Sequence, residues 1–368
     1  MHLTVGVGPP GSALPSEIDV GLPLVKAALL YGDRVTLCSP AASVLVRLQG
    51  DEPAALADRL AVLAGLADDL GLDDRPARLA AVLDAGRVDR DVARAAVDDW
   101  WGRYRRALAD AVAGSGLASL APAVAAGRLT IETLGVGPVV RPADVARAAA
   151  ETYAHVVSRA VACGDTTPLL DAETAAGVGR AVAQGRVGVS EARSARARGG
   201  GLAAHTLQQL PLFEKATVAE VLDVRADLDG PLVRFRAAVA DFAGEIAGAV
   251  WDADFPVEAA RVYRQRVAPA VADVEDAVAS VGYLRELVSR YAERPGQFVP
   301  VTAPLLTVAL TSADALSQAV AAALGGLSLA ANGVQAWHAT QDARREVRAQ
   351  RLFFVYAAGR RLAGRPTW

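Results

Sequence analysis

Lysine is nearly missing from this chain: only Lys26 and Lys215 occur in 368 residues, and arginine supplies almost all the remaining basic side chains. That bias has the look of a GC-rich coding sequence and gives no reason to read a selected phosphate-binding surface. Net charge is −3, so no global field draws the chain to nucleic acid or to an anionic membrane. Cysteine is scarce too. Cys38 and Cys163 lie far apart and form no CxxC pattern, which argues against a disulfide framework and for reduced thiols. Of the histidines, His2, His155, His205 and His338, none stands in an HxxxH or HExxH spacing. Zinc chemistry therefore has no foothold, and a hydrogen-bonded structural role is expected for His205. The first residues lack a basic start, a continuous apolar core and a small-residue cleavage site, so the cytoplasm is the expected compartment.

Aromatic residues make up only 5% of the chain although 52% is hydrophobic, because alanine carries much of the apolar count. Alanine favours helix and buries little area per residue, which predicts a helix-rich protein with thin, closely packed cores. The length allows two or three domains.

The N-terminal stretch reads as strand, helix, strand. Leu3, Val5 and Val7 alternate before a Gly/Pro break, Leu22 to Tyr31 is helical in pattern, Gly32-Asp33 closes that helix, and "RVTLCSP" is a second strand. This predicts a small α/β element over residues 1–50. Residues 52 to 160 read as helical and alanine-rich, with openings at Asp51-Glu52-Pro53 and around Asp73 to Pro76, and with Trp100, Trp101 and Tyr104 near one face. The stretch 164 to 216 reads as irregular. "CGDTTPLLD" and "ARARGGGLAAH" have loop chemistry, "HTLQQLPLF" suits a strand or extended connector, and Gly199-Gly200-Gly201 is the best candidate hinge.

A clearer regularity follows. Thr217 and Glu220 form a capping-box pattern, and "DGP" at 229 to 231 resets the helix. Leu232, Phe235, Val239, Phe242 and Ile246 then alternate by three and four. After the turn "WDADFP", Val267, Val271, Val274, Val278 and Val281 repeat that spacing. Two such seams predict a long antiparallel helix hairpin with coiled-coil-like packing, kinked at Pro269. Residues 295–341 carry one charge, Asp314, and the remaining stretch, His338 to Trp368, has seven arginines against Asp342 and Glu346. The span is long enough to cross a bilayer, but its alanines and recurring polar residues keep it below a committed transmembrane helix. A core helix is the expected role.

Candidates for chemistry each have a plainer reading. Gly6, Gly8 and Gly11 spell GxGxxG after a strand, yet Pro9 and Pro10 remove two amides and "SALPSE" delays the helix that a dinucleotide needs. The second strand ends in Cys38 and Ser39 where an acidic residue is expected, so a strand-terminating loop is the reading here. Asp165, Asp171 and Glu173 make a metal or acid/base cluster only if folded together; capping of a helix that begins at Asp171 accounts for them more simply. Cys38-Ser39-Pro40 is the best enzyme candidate, a thiol at a strand end, flanked by Lys26 and Asp33 on the preceding helix and turn. No base accompanies it, and Lys26 reads as a solvated helix lysine. Arg186, Arg193, Arg196 and Arg198 cluster without the aromatics of a nucleic-acid loop, which suggests a solvated flexible linker.

The expected fold is mainly α: a small N-terminal α/β element at 1–50, a helical lobe with irregular loops at 51–198, and a long-helix hairpin at 202–368 with the apolar segment 295–341 and an arginine-rich C-terminal helix. Extended segments near 202–213 and 298–311 returning to the sheet would join these lobes into one composite body. The expected function is a non-enzymatic interaction or assembly protein whose partner is another protein or a second copy, with no nucleic acid, no cofactor, and no catalytic or metal residue assigned. A membrane-associating effector exposing residues 298–341 is the alternative, and an enzyme with a site near Cys38 the second.

Overall fold

The computed structural model describes residues 1–8, 21–50, 55–65, 67, 70–134, 142–162, 165–211, 213–279, 342 and 344–364. The protein is mainly helical, with one small parallel sheet. Strand β1 (His2–Gly6), helix α1 (Leu22–Tyr31) and strand β2 (Arg34–Cys38) form where the apolar patterning predicts. Helix α1 is apolar on every side and accordingly buried from Val25 to Tyr31. Lys26 lies in that buried run with 4% exposure, so it is not the solvated helix lysine that its sequence context suggests.

After β2 the chain makes a helical excursion: α2 (Pro40–Gly50), α3 (Leu56–Gly65), α4 (Arg75–Asp84), α5 (Arg90–Gly114), a 3-10 turn at Leu117–Leu120 and α6 (Ala121–Ala125). Helices α3 to α5 share a core of Leu60, Leu63, Leu72, Val97, Trp101 and Tyr104. The Trp101 and Tyr104 rings sit 4.7 Å apart, and the Arg59 guanidinium lies 5.4 Å over Trp101. The excursion then returns to the sheet as β3 (Leu129–Ile131), a strand that falls inside the stretch read as helical. Helix α7 (Pro142–Ala162) leads to β4 (Thr167–Leu170).

All pairings are parallel and the strand order is β3-β2-β1-β4. The sheet thus draws on residues far beyond 1–50. Leu3 pairs with Thr167 and Val5 with Leu169, which sets one face; Gly6 belongs to the other. Helices α8 (Ala172–Ala183) and α9 (Glu191–Gln208) follow β4, then α10 (Val218–Asp227). Helix α9 runs over the face of Thr167 and Leu169, while Tyr153 of α7 reaches Gly6 on the opposite face. The result is a sheet covered on both sides, wound away from β1 in both directions.

Four expectations for 164–216 are corrected here. "TPLL" is not a loop but β4; its Pro168 has no amide to donate, and the position of β4 at the edge of the described strands tolerates that. Gly199, Gly200 and Gly201 are no hinge, because they stand in the middle of α9. A Cβ on Gly200 would come within 2.8 Å of Thr167 and 3.0 Å of Leu169, and one on Gly201 within 2.7 Å of Phe255. These glycines serve close packing, not chain flexibility. The arginine-rich stretch is likewise helix, not flexible linker, and residues 202–208 are the end of α9, not an extended segment that joins the sheet.

Helices α11 (Asp229–Ala243) and α12 (Phe255–Val262) follow, and a π-turn at Tyr263–Val267 carries α12 into helical residues 268–279. The π-turn comes just before Pro269. Proline removes an i→i−4 bond and crowds the preceding turn, and the wider winding relieves this. Leu232, Phe235, Val239, Ile246, Val267 and Val274 of the two seams are buried. The far half of the expected hairpin, including Val281, and the 295–341 segment lie outside the described residues. The chain divides into two compact units: Met1–Asp227 with Val239–Val262, and Leu228–Ala238 with Tyr263–Trp368. In the second unit, Phe235 stacks on Phe354 at 5.2 Å, and α13 (Phe353–Leu362) is buried continuously from Phe353 to Gly359.

Candidate functional site: the carboxyl end of the parallel sheet

Ligands of doubly wound sheets bind outside the carboxyl ends of the strands, at the point where the strand order reverses. In this protein that point lies between β1 and β4. The chain leaves β1 through Gly6, Val7 and Gly8, and leaves β4 through Leu170 and Asp171 into α8.

Asp171 holds this position together. Its Oδ1 accepts the Thr174 amide at 2.7 Å, the N-cap bond of α8, and its Oδ2 accepts the Gly8 amide at 2.8 Å. One carboxylate therefore ties the two strand ends and fills the helix N-terminus where a phosphate would sit. The sequence reading of Asp171 as a helix cap is correct; that it also clamps Gly8 was not visible from spacing. Beside it, the Tyr153 hydroxyl and Thr174 Oγ1 are 2.5 Å apart, and both residues are buried. Burial raises the Tyr153 pKa against the lowering effect of the Thr174 hydrogen bond, and the negative charges of Asp171 and Glu173 add to the rise, so the phenol stays neutral.

At the end of β2, Ser39 caps α2: its Oγ accepts the Ala42 amide at 3.3 Å. The Ser43 hydroxyl lies 2.8 Å from the Ser39 carbonyl oxygen and 2.5 Å from that of Glu132, which joins the ends of β2 and β3. Cys38 is fully buried. Burial, and after it the Glu132 charge, push its thiol up to about 12, so it is protonated at neutral pH. A reactive cysteine needs the opposite environment, electropositive and partly open.

The other candidates are dispersed. Asp165 precedes β4 and Asp171 follows it, so a strand of about 3.3 Å per residue holds them at opposite ends of the sheet. Lys26 donates to the Glu214 carbonyl at 2.8 Å; desolvation lowers its pKa, against the raising effect of the Glu214 and Glu220 charges. Asp33 accepts Arg225 at 2.7 Å and also the amino group of Met1. His2 lies 2.9 Å from Thr36 Oγ1, His155 is exposed, and His205 on α9 has its pKa lowered by burial. His338 lies outside the described residues, as does Gly11. Arg193 bonds the carbonyls of Val161, Ala160 and Thr166 at 3.0, 3.1 and 3.3 Å, and Arg198 pairs with Glu191 at 2.6 Å, whereas Arg186 and Arg196 are exposed.

Among the described residues no group of three or more His, Cys, Asp or Glu is placed to hold a metal ion. Among them, too, no single helix is long and apolar enough to cross a membrane. Helix α5 and the segment to Ala125 reach that composition only together, across a 61° bend. The fold class is thus a mainly α protein built on a doubly wound parallel sheet. No protein-family model matches the chain, and comparisons with curated proteins and with solved structures return no match.

Proposed function

We propose that this chain is a non-enzymatic interaction or assembly protein that presents helical surfaces to another protein or to a second copy of itself. One observation carries the reading. At the strand ends where a doubly wound sheet does its chemistry, Asp171, Thr174, Tyr153, Ser39 and Ser43 are bonded to the chain's own amides, carbonyls and hydroxyls, and Cys38 is a buried, protonated thiol. A catalytic constellation pairs a nucleophile with a base and leaves room for a reacting atom about 3 Å from both. These groups are spent on joining strand to helix. The long helices 229–243 and 255–279, which are the described part of the expected hairpin, supply the surface for assembly.

Analytical ultracentrifugation over a wide concentration range, paired with affinity capture from lysate, tests this. A mass above one chain, or a stoichiometric partner, is the expected result. A monodisperse monomer that retrieves nothing overturns it, as does a thermal-shift screen in which a small metabolite raises Tm and is turned over.

A further inference from the structure

We draw no further inference here: the strongest candidate, the side-chain cluster at the carboxyl ends of β1 and β4 formed by Gly8, Tyr153, Asp171, Glu173 and Thr174, is an acidic helix N-terminus whose own carboxylate already accepts the Gly8 and Thr174 amides, and no second feature beside it points to a ligand.

Discussion

The two ends of the parallel sheet are held by opposite chemistry. At the amino end, cations meet carbonyl and carboxylate oxygens. Arg193 caps the last turn of α7 and the entry to β4, Arg128 donates to the Asp33 carbonyl at 2.9 Å, and Arg225 pairs with the Asp33 carboxylate. At the carboxyl end, acids and hydroxyls meet amides, as Asp171 does with Gly8 and Thr174, and Ser39 with Ala42. The contrast follows from winding. Each helix that leaves the carboxyl end of a strand points its unsatisfied N–H groups there, and returns its unsatisfied carbonyls to the amino end. Lys26, in the first half of α1, falls outside this pattern: its ammonium donates to the Glu214 carbonyl in the turn between α9 and α10. The difference teaches that the polar residues of this sheet follow the direction of its helices, and that acidity at the strand ends is a structural requirement before it is a functional sign.

Reversing the charge at the amino end should break that arrangement most severely. Arg193→Glu sets a carboxylate among three carbonyl oxygens and should cost about 3–5 kcal/mol, read as a fall in the urea midpoint. Arg193→Lys keeps the charge but loses the fork, and should cost about 1–2 kcal/mol. Equal losses from the two would mean that charge plays no part.

At the other end, the thiol of Cys38 should behave as an inert core group. With Cys163 replaced by alanine, its alkylation at pH 8 in the folded protein should run about a thousandfold slower than in urea, as a pKa of about 12 requires. Rapid labelling of the folded chain would place it in an open, reactive setting.

Asp171→Ala removes the acceptor of two amides and should cost about 1–2 kcal/mol, with Asp171→Asn losing less. Backbone amide exchange would sharpen the result, since Gly8 and Thr174 should lose protection together in the alanine variant.

The smallest effect is expected at Glu220, which accepts the Thr217 amide at 2.7 Å while its own amide donates to Thr217 Oγ1 at 3.2 Å. The Thr217 amide, then its hydroxyl, lower the Glu220 pKa. A carboxyl group depressed in the folded state stabilises above its unfolded pKa of about 4.3, and that contribution disappears as pH falls through the folded value. Acid titration of Glu220→Gln should therefore show a shallower loss of stability below that pH than the parent chain; superimposable acid limbs would refute the capping role.

The legible parts of this fold are those in which a local signal and the tertiary structure ask for the same thing. Alternation in Leu3 and Val5, the apolar run of α1, the cap at Asp171 and the Thr217–Glu220 box all act within a few residues, so spacing alone reveals them. What spacing missed depends on distant neighbours. Pro168 looks like a strand breaker until β4 is known to be an edge, and three consecutive glycines look like a hinge until Thr167, Leu169 and Phe255 are seen pressed against two of them. The strand β3, three residues long, gives no period to count. Lys26 misled for the same reason, because its acceptor is a backbone carbonyl on Glu214 that no motif encodes.

The register of β1 against β4 also sets the timetable of biosynthesis. Leu3 is made well before its partner Thr167, and only the β2 edge is satisfied in between. At ribosomal speeds of about 5–20 residues per second, the other edge of β1 stays open for on the order of ten seconds. An unpaired strand of Leu3, Val5 and Val7 is a template for a neighbouring nascent chain on the same message. Fragments that stop before residue 167 keep that edge of β1 unpaired and should aggregate, which light scattering of the expressed fragments checks.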